Sequence, residues 1–162
     1  MSIEGGPVRR KSAAGRGRQV VTIRVGGQLF GLPIGRVQDV FMPDNFTHVP
    51  LARGEIAGVL NLRGRIVTAI DLSRVLGVAA INMTNAERPA VSVIHANESY
   101  GLLTDIVGEV VSLTDDRLEP NPVNLDPAWA RVSLGTFQLE NELMVVLDVD
   151  ALIEGLLNRV AA

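Results

Sequence analysis

The sequence predicts a mostly β protein, two similar small barrels in tandem followed by a short C-terminal helix. Three observations predict it. The chain repeats itself: Gly58-Val-Leu-Asn-Leu-Arg-Gly-Arg-Ile-Val-Thr-Ala-Ile-Asp-Leu-Ser-Arg-Val-Leu76 aligns without a gap on Gly135-Thr-Phe-Gln-Leu-Glu-Asn-Glu-Leu-Met-Val-Val-Leu-Asp-Val-Asp-Ala-Leu-Ile153, an offset of 77 (Gly58 to Gly135). Upstream, Phe30-Gly31-Leu32 and Val37-Gln38-Asp39-Val40 match Tyr100-Gly101-Leu102 and Val107-Gly108-Glu109-Val110 at an offset of 70 (Gly31 to Gly101). A chain whose halves share a pattern is most simply two similar units packed together. The apolar residues also arrive in short β-branched runs between turn residues, the spacing of small closed barrels rather than of a parallel sheet. Helical periodicity is confined to a few short stretches.

In chain order, residues 1–18 hold Arg9, Arg10, Lys11, Arg16 and Arg18 against Glu4, a local charge of +4 in a Gly-, Ser- and Ala-rich setting. This reads as a disordered basic tail, either a plain solvated leader or a contact for nucleic acid or an anionic membrane. Residues 19–25 alternate and are β-branched, Gly26-Gly27 signals a turn, and an apolar run resumes over 28–34. Pro33 inside that run marks a strand end or edge, because it has no N–H for the ladder. A short strand over 37–42 stops at Pro43. Strands at 59–62 and 66–70 flank Arg63-Gly64, a hairpin signal. The later copy repeats the scheme at 90–95, 100–104, 106–112, 134–140 and 143–147. Residues 72–76 form a short helical turn before Gly77, and 149–160 is the best amphipathic helix, with Leu152, Leu156 and Val160 on one stripe. The expected subdomains are about 28–88 and about 89–147, with residues 19–27 free to pair with either. A C-terminal helix follows at 148–162.

Composition excludes several function classes. At 162 residues and 47% apolar content the chain can bury a sizeable core. It has no Cys, which removes disulfide scaffolds and thiolate chemistry. No stretch approaches the ~20 apolar residues of a membrane span, and no apolar signal segment opens the sequence, so a cytoplasmic protein without membrane insertion is expected. Outside the tail the charge is −7, once +4 is taken from the overall −3. A nucleic-acid-binding body would need a basic face instead.

Catalytic chemistry finds no footing. Lys11 is the sole lysine, so the body offers neither a phosphate-loop nor a Schiff-base lysine. The run Gly26-Gly27-Gln28-Leu29-Phe30-Gly31 does not fit G-x-G-x-x-G and leads into a strand. His48 and His95 have no ligand-spaced partner, so no metal or cofactor is expected. Asp115-Asp116 reads as a solvated turn. Asp148, and Asp71 at the same place in the first copy, read as helix N-caps.

What remains is a difference between the copies. The first hairpin tip is Arg63-Gly64-Arg65 and the second is Glu140-Asn141-Glu142, with matching apolar flanks. Either exposed tips drift freely, or the first is a recognition hairpin whose arginines suit partner carboxylates. On the second reading Gly58 and Gly64 would admit a partner backbone, over an apolar floor of Val37 and Val59.

Gln28-x-Phe-Gly-Leu-Pro-Ile34, Val37-Gln-Asp-Val40, Ile56-Ala-Gly-Val-Leu-Asn-Leu-Arg-Gly-Arg-Ile-Val67 and Ile70-Asp-Leu72 resemble the CheW family of chemotaxis coupling proteins, over about residues 19–155. The resemblance implies two SH3-like barrels side by side. It also implies a non-enzymatic adaptor joining the regulatory domain of the histidine kinase CheA to the cytoplasmic tip of chemoreceptors, at membrane-associated receptor arrays. It places the receptor-facing groove on Val37, Asp39, Gly58, Val59, Arg63 and Gly64, with Asp39 expected to hold the Arg63 guanidinium. No short motif marks a kinase-binding surface. Thr68, Ser73 and Arg53-Gly54 depart from the family pattern. A coupling protein of another chemosensory pathway and a small-ligand-binding or enzymatic double barrel are the alternatives.

Overall fold

A computed structural model gives the fold and describes residues 17–43, 46–48, 54–79, 87–114 and 117–161. Among these residues run ten strands: β1 (Gly17–Val25), β2 (Gln28–Pro33), β3 (Asp39–Phe41), β4 (Ile56–Leu62), β5 (Arg65–Asp71), β6 (Ala90–His95), β7 (Glu98–Leu103), β8 (Ile106–Thr114), β9 (Ser133–Gln138) and β10 (Leu143–Leu147). The helices are α1 (Leu72–Leu76), α2 (Pro127–Ala130) and α3 (Val149–Ala161), and one 3-10 turn spans Ile34–Arg36. The expected basic tail ends sooner than 18. Gly17 and Arg18 already belong to β1, because β8 runs on to Thr114 and Leu113 to pair with them. Residues 1–16 and the Asp115-Asp116 pair lie outside the described residues.

The strands form two five-stranded sheets, in the orders β8-β1-β2-β10-β9 and β3-β6-β7-β5-β4. The repeat maps β1–β5 onto β6–β10, and the two sheet orders are identical under that mapping. The sheets nevertheless do not follow the expected 28–88 and 89–147 division. Each takes a hairpin from one copy and three strands from the other. Pro33 ends β2 without a ladder donor, and the 3-10 turn after it carries the chain out of the β1–β2 sheet and into the other. Two parallel contacts complete the exchange: β2 on β10 at Phe30↔Val145 and Gly31↔Val146, and β5 on β7 from Thr68↔Tyr100 to Asp71↔Leu103. Parallel neighbours cannot be joined by a tight turn, so these pairings come from separate parts of the chain. The tight hairpins β1–β2, β4–β5 and β6–β7 turn on Gly26-Gly27, Arg63-Gly64 and Ala96-Asn97, all at positive φ, the twist that matches flanking strands.

Both faces of the central strands are buried, which explains why they read as nearly unbroken apolar runs. In β10, Met144 and Val146 face a cluster with Val20, Leu29 and Phe137, while Val145 and Leu147 face a larger core with Phe30, Ile70, Val91 and Leu102. That larger core joins the two sheets. A third cluster of Ala57, Leu60, Val67, Ala69 and Leu103 fills the other sheet. Helix α3 lays Leu152, Ile153 and Leu156 on the joint core; the side chain of Val160 is outside the described set. Asp148 caps α3 by accepting from Ala151 N at 3.1 Å, and Asp71 caps α1 by accepting from Ser73 N at 3.0 Å. Short α2, absent from the sequence reading, turns Trp129 under α1, where its Nε1–H donates to Leu76 O at 2.8 Å and its ring meets Phe30 edge-on.

Two devices hold the strands in place. At Gly58 a Cβ would sit 2.3 Å from Thr47 O, and at Gly135 it would sit 2.8 Å from Glu119 O. In each copy the glycine lets a passing segment pair with the sheet edge, at Thr47↔Val59 and Glu119↔Thr136. The second device is a buried charge cluster that the sequence reading missed. Arg88 lies 3.0 Å from Asp71 Oδ1 and 3.6 Å from Asp105 Oδ1, and Asp105 Oδ2 accepts from Gly26 N at 2.7 Å. One guanidinium thus links the end of β5, the β7–β8 connection and, through Asp105, the β1–β2 turn of the other sheet. Burial pushes the Asp71 carboxyl up, but the bonds from Arg88 and Ser73 outweigh it and the net shift is downward.

Replacing Arg88 with Met leaves two buried carboxylates without their cation, and should cost about 3–5 kcal/mol in denaturant unfolding. Asp71 has a lowered folded-state value, so its stabilisation is present above the unfolded carboxylate value of about 3.9 and is lost as pH falls through the folded one. The acid limb of a stability–pH curve should therefore be shallower in Arg88→Met than in the parent. It should persist in part, because Asp39, Glu142 and Asp150 are also lowered by their own partners. Gly58→Ala and Gly135→Ala should each destabilise by about 1–3 kcal/mol or more, through strain and displacement of the crossing segment; equal melting midpoints for parent and variants would refute the close-approach role.

Candidate functional site

The two sheets share one plan but differ at one edge, and the difference opens a cleft. Strand β8 covers β1 as far as Ile23↔Val107 and Arg24↔Ile106. Its counterpart β3 pairs with β6 only at Asp39↔Ser92, Val40↔Val91 and Phe41↔Ala90. Among the described residues no strand pairs with the upper edge of β6. In the closed sheet the carbonyl of Arg24 accepts from the backbone N of Asp105 at 2.9 Å. At the equivalent Ile94 the carbonyl accepts instead from the side chain of Arg36, at 2.8 Å. A side chain stands where a strand would have closed: Gln38 N still donates to Ser92 O of β6 at 2.7 Å, and beyond that bond Arg36 reaches the β6 edge by its guanidinium rather than by its backbone. Asp150 of α3 holds Arg36 in place at 2.9 Å, and its Oδ1 lies 2.8 Å from His95 Nδ1.

The resulting cleft has a volume of about 270 Å³ and is lined by Gln38, Asp39, Leu62, Arg63, Arg65, Ser92, Ile94 and Ser99. Its two arginines differ. Arg63, at φ 55° in the β4–β5 turn, reaches back so that Nη1 lies 2.6 Å from Asp39 Oδ2. Asn61 Oδ1 stabilises the turn by accepting from Gly64 N at 2.9 Å. The Arg63 guanidinium, with help from the Val40 amide, holds the Asp39 carboxyl below its ordinary value. Arg65, the first residue of β5, donates from Nη1 to Ser99 Oγ at 3.0 Å and has no carboxylate partner among the described residues. The arrangement, an ion pair and a second arginine beside serine hydroxyls, can recognise a protein surface. Among the described residues no group of three or more His, Cys, Asp or Glu is placed to hold a metal ion.

The structure separates the six residues singled out from the sequence. Asp39 and Arg63 meet across the cleft, as expected, and Gly64 sits at the exposed tip beside them with free space around it. Val37 packs against the joint core. Gly58 and Val59 lie down β4 under Thr47, so the close approach at Gly58 is made by this chain's own backbone rather than by a partner. The sequence reading missed Ser92, Ile94 and Ser99 as site residues. They belong to the β6–β7 hairpin of the other copy, and no local signal ties them to Arg63. Arg65 was visible in the Arg63-Gly64-Arg65 tip.

Comparison with known proteins adds family and fold. The CheW-like domain family matches residues 19–156. A chemotaxis protein CheW from Thermotoga maritima is 27% identical over 139 residues, which cover 84% of this chain and 87% of the relative. Protein PilI from Pseudomonas aeruginosa is 27% identical over 125 residues, covering 77% of this chain and 70% of the relative. A crystal structure of the scaffolding protein TtCheW from Thermoanaerobacter tengcongensis superposes with a TM-score of 0.75 at 24% identity, covering 85% of this chain and 92% of that one. That likeness shows the fold, the tandem of SH3-like barrels. With a family match that spans most of its length and a shared strand plan, the chain belongs to the CheW family.

Proposed function

We propose that this protein is a non-enzymatic coupling protein that holds the cytoplasmic tip of a chemoreceptor and the regulatory domain of the histidine kinase CheA at fixed relative positions, in the cytoplasm at membrane-associated receptor arrays. The observation that carries the reading is the open cleft beside the Asp39–Arg63 pair, two of the six residues on which the resemblance puts a receptor-facing groove. An adaptor needs no chemistry. It acts by presenting separate surfaces on a rigid body, and assembly raises the effective concentration of each partner for the other. The buried Arg88 cluster and the joint core supply that rigidity. Gly64 and Val59 stay within the proposed receptor surface as its margin, and Val37 and Gly58 support it from below.

The cleft gathers polar groups, as a small-ligand site would, but its two arginines are exposed; 71% of the Arg63 side chain is accessible. That suits a protein partner better than an enclosed small molecule. The relative named protein PilI favours one second reading, a coupling protein of a chemosensory pathway outside chemotaxis. No described helix is long and apolar enough to cross a membrane.

Titration calorimetry of the full chain with the CheA regulatory domain and with a receptor-tip fragment from the same organism is the test. Saturable binding of both, without mutual exclusion, is expected; silence with both at the highest practical concentration would overturn the reading. Arg63→Glu should weaken receptor-tip binding about tenfold or more while the CheA titration and the cooperative melting transition stay unchanged, since an exposed tip charge contributes little to stability.

A further inference from the structure

We propose that the cleft reads an acidic side chain of its partner, and that Arg65, held by Ser99, is the residue that pairs with it. The inference rests on the receptor-facing reading of the cleft and names the chemistry recognised there.

The second sheet serves as an internal reference. Under the repeat, Arg65 corresponds to Glu142, and Ile94 corresponds to Arg24. In the closed sheet Arg24 and Glu142 form a two-pronged ion pair between β1 and the β9–β10 turn, with Nη1 to Oε1 at 3.1 Å and Nη2 to Oε2 at 2.6 Å. Each holds the other charged: the Arg24 bond pulls Glu142 down, and the Glu142 bond pushes Arg24 up. The open sheet keeps one charge at this location, with opposite sign, and has lost the other. Arg65 faces a cleft whose wall carries apolar Ile94 where the counter-charge would stand. The chain therefore completes this ion pair internally in one barrel and leaves it incomplete in the barrel that is open.

The rest of the cleft suits the same ligand. Arg63 is committed to Asp39, so it is not the free cation. Arg65 spends Nη1 on Ser99 Oγ, which orients the planar guanidinium. A guanidinium fixed in this way presents its remaining N–H groups as a fork matched to a carboxylate. Gln38, Ser92 and Ser99 line the floor and can bond to the same group or to the backbone that carries it. Leu62 and Ile94 add apolar contact for the stem of a glutamate or aspartate. Asp39, already neutralised by Arg63, does not repel the incoming acid as a bare carboxylate would. Because the body of the chain is acidic overall, long-range attraction is weak and recognition depends on this local contact, which screening by salt reduces.

The test is a charge-swap cycle with the full chain and the receptor-tip fragment. Arg65→Glu and Arg65→Gln are titrated against the parent fragment, and then against fragments in which each Asp or Glu of the tip is changed in turn to Arg. Arg65→Glu should weaken binding about tenfold or more, Arg65→Gln less, and one acid→Arg fragment should bind Arg65→Glu better than it binds the parent chain. Arg65→Lys, which keeps the charge but not the fork, should recover part of the loss. The inference is overturned if the parent binds the fragment and Arg63→Glu abolishes binding while every Arg65 variant binds as the parent does. It is overturned equally if Arg65→Glu weakens binding and no swapped fragment restores it. If the parent does not bind the fragment at all, the receptor-facing reading fails first and this inference fails with it.

Discussion

Neither copy of the repeat can complete a sheet from its own strands, and most features of the molecule trace back to that constraint. The β1–β2 hairpin needs β8, β9 and β10, and the β6–β7 hairpin needs β3, β4 and β5. The strands paired in parallel across the exchange, β2 with β10 and β5 with β7, carry buried apolar residues on both faces, one toward their own barrel and one toward the joint core. The two barrels are thereby welded by backbone hydrogen bonds and by a shared apolar interior, a stiffer connection than two domains meeting at a surface. Non-local pairing of this kind is entropically expensive to close, and is returned only when both halves are in place.

The buried charges bear on the same constraint. Asp71 at the end of β5 and Arg88 just before β6 stand at the two ends of a connection within one sheet, and Asp105 stands where the chain leaves that sheet for the other, between β7 and β8. A buried cation with two carboxylates is a poor source of net stability compared with apolar packing, but it is strongly directional. Here it specifies which connection lies against which. Gly58 and Gly135 do the corresponding job at the sheet edges by removing a side chain where a backbone must pass.

Function enters through a break in the pseudosymmetry. One sheet is zipped to its end by backbone bonds and sealed by the Arg24–Glu142 pair. In the other, Arg36 takes the place of a strand, and Asp150 and His95 on and beside α3 steady it. The cleft is thus a vacancy in an otherwise repeated pattern rather than an addition to it. Its walls come from both copies, with Asp39, Arg63 and Arg65 from the first and Ser92, Ile94 and Ser99 from the second.

By itself the sequence determined the strand runs, the tight turn at Arg63-Gly64, the caps at Asp71 and Asp148, the twofold repetition and the family, because each of these is written in residues close together in the chain. It even placed Asp39 beside Arg63, through the resemblance. Tertiary structure alone decided which strands share a sheet, since the nearly unbroken apolar run of a strand buried on both faces does not name its neighbours. It decided that Gly58 receives the chain's own Thr47, that Val37 faces the core, and that Arg88 is buried between two acids. It also decided that an open site exists. A cleft depends on a strand that stops short and on a side chain that fills the gap, and both are visible only once segments some sixty residues apart, such as Arg36 and Ile94, lie side by side.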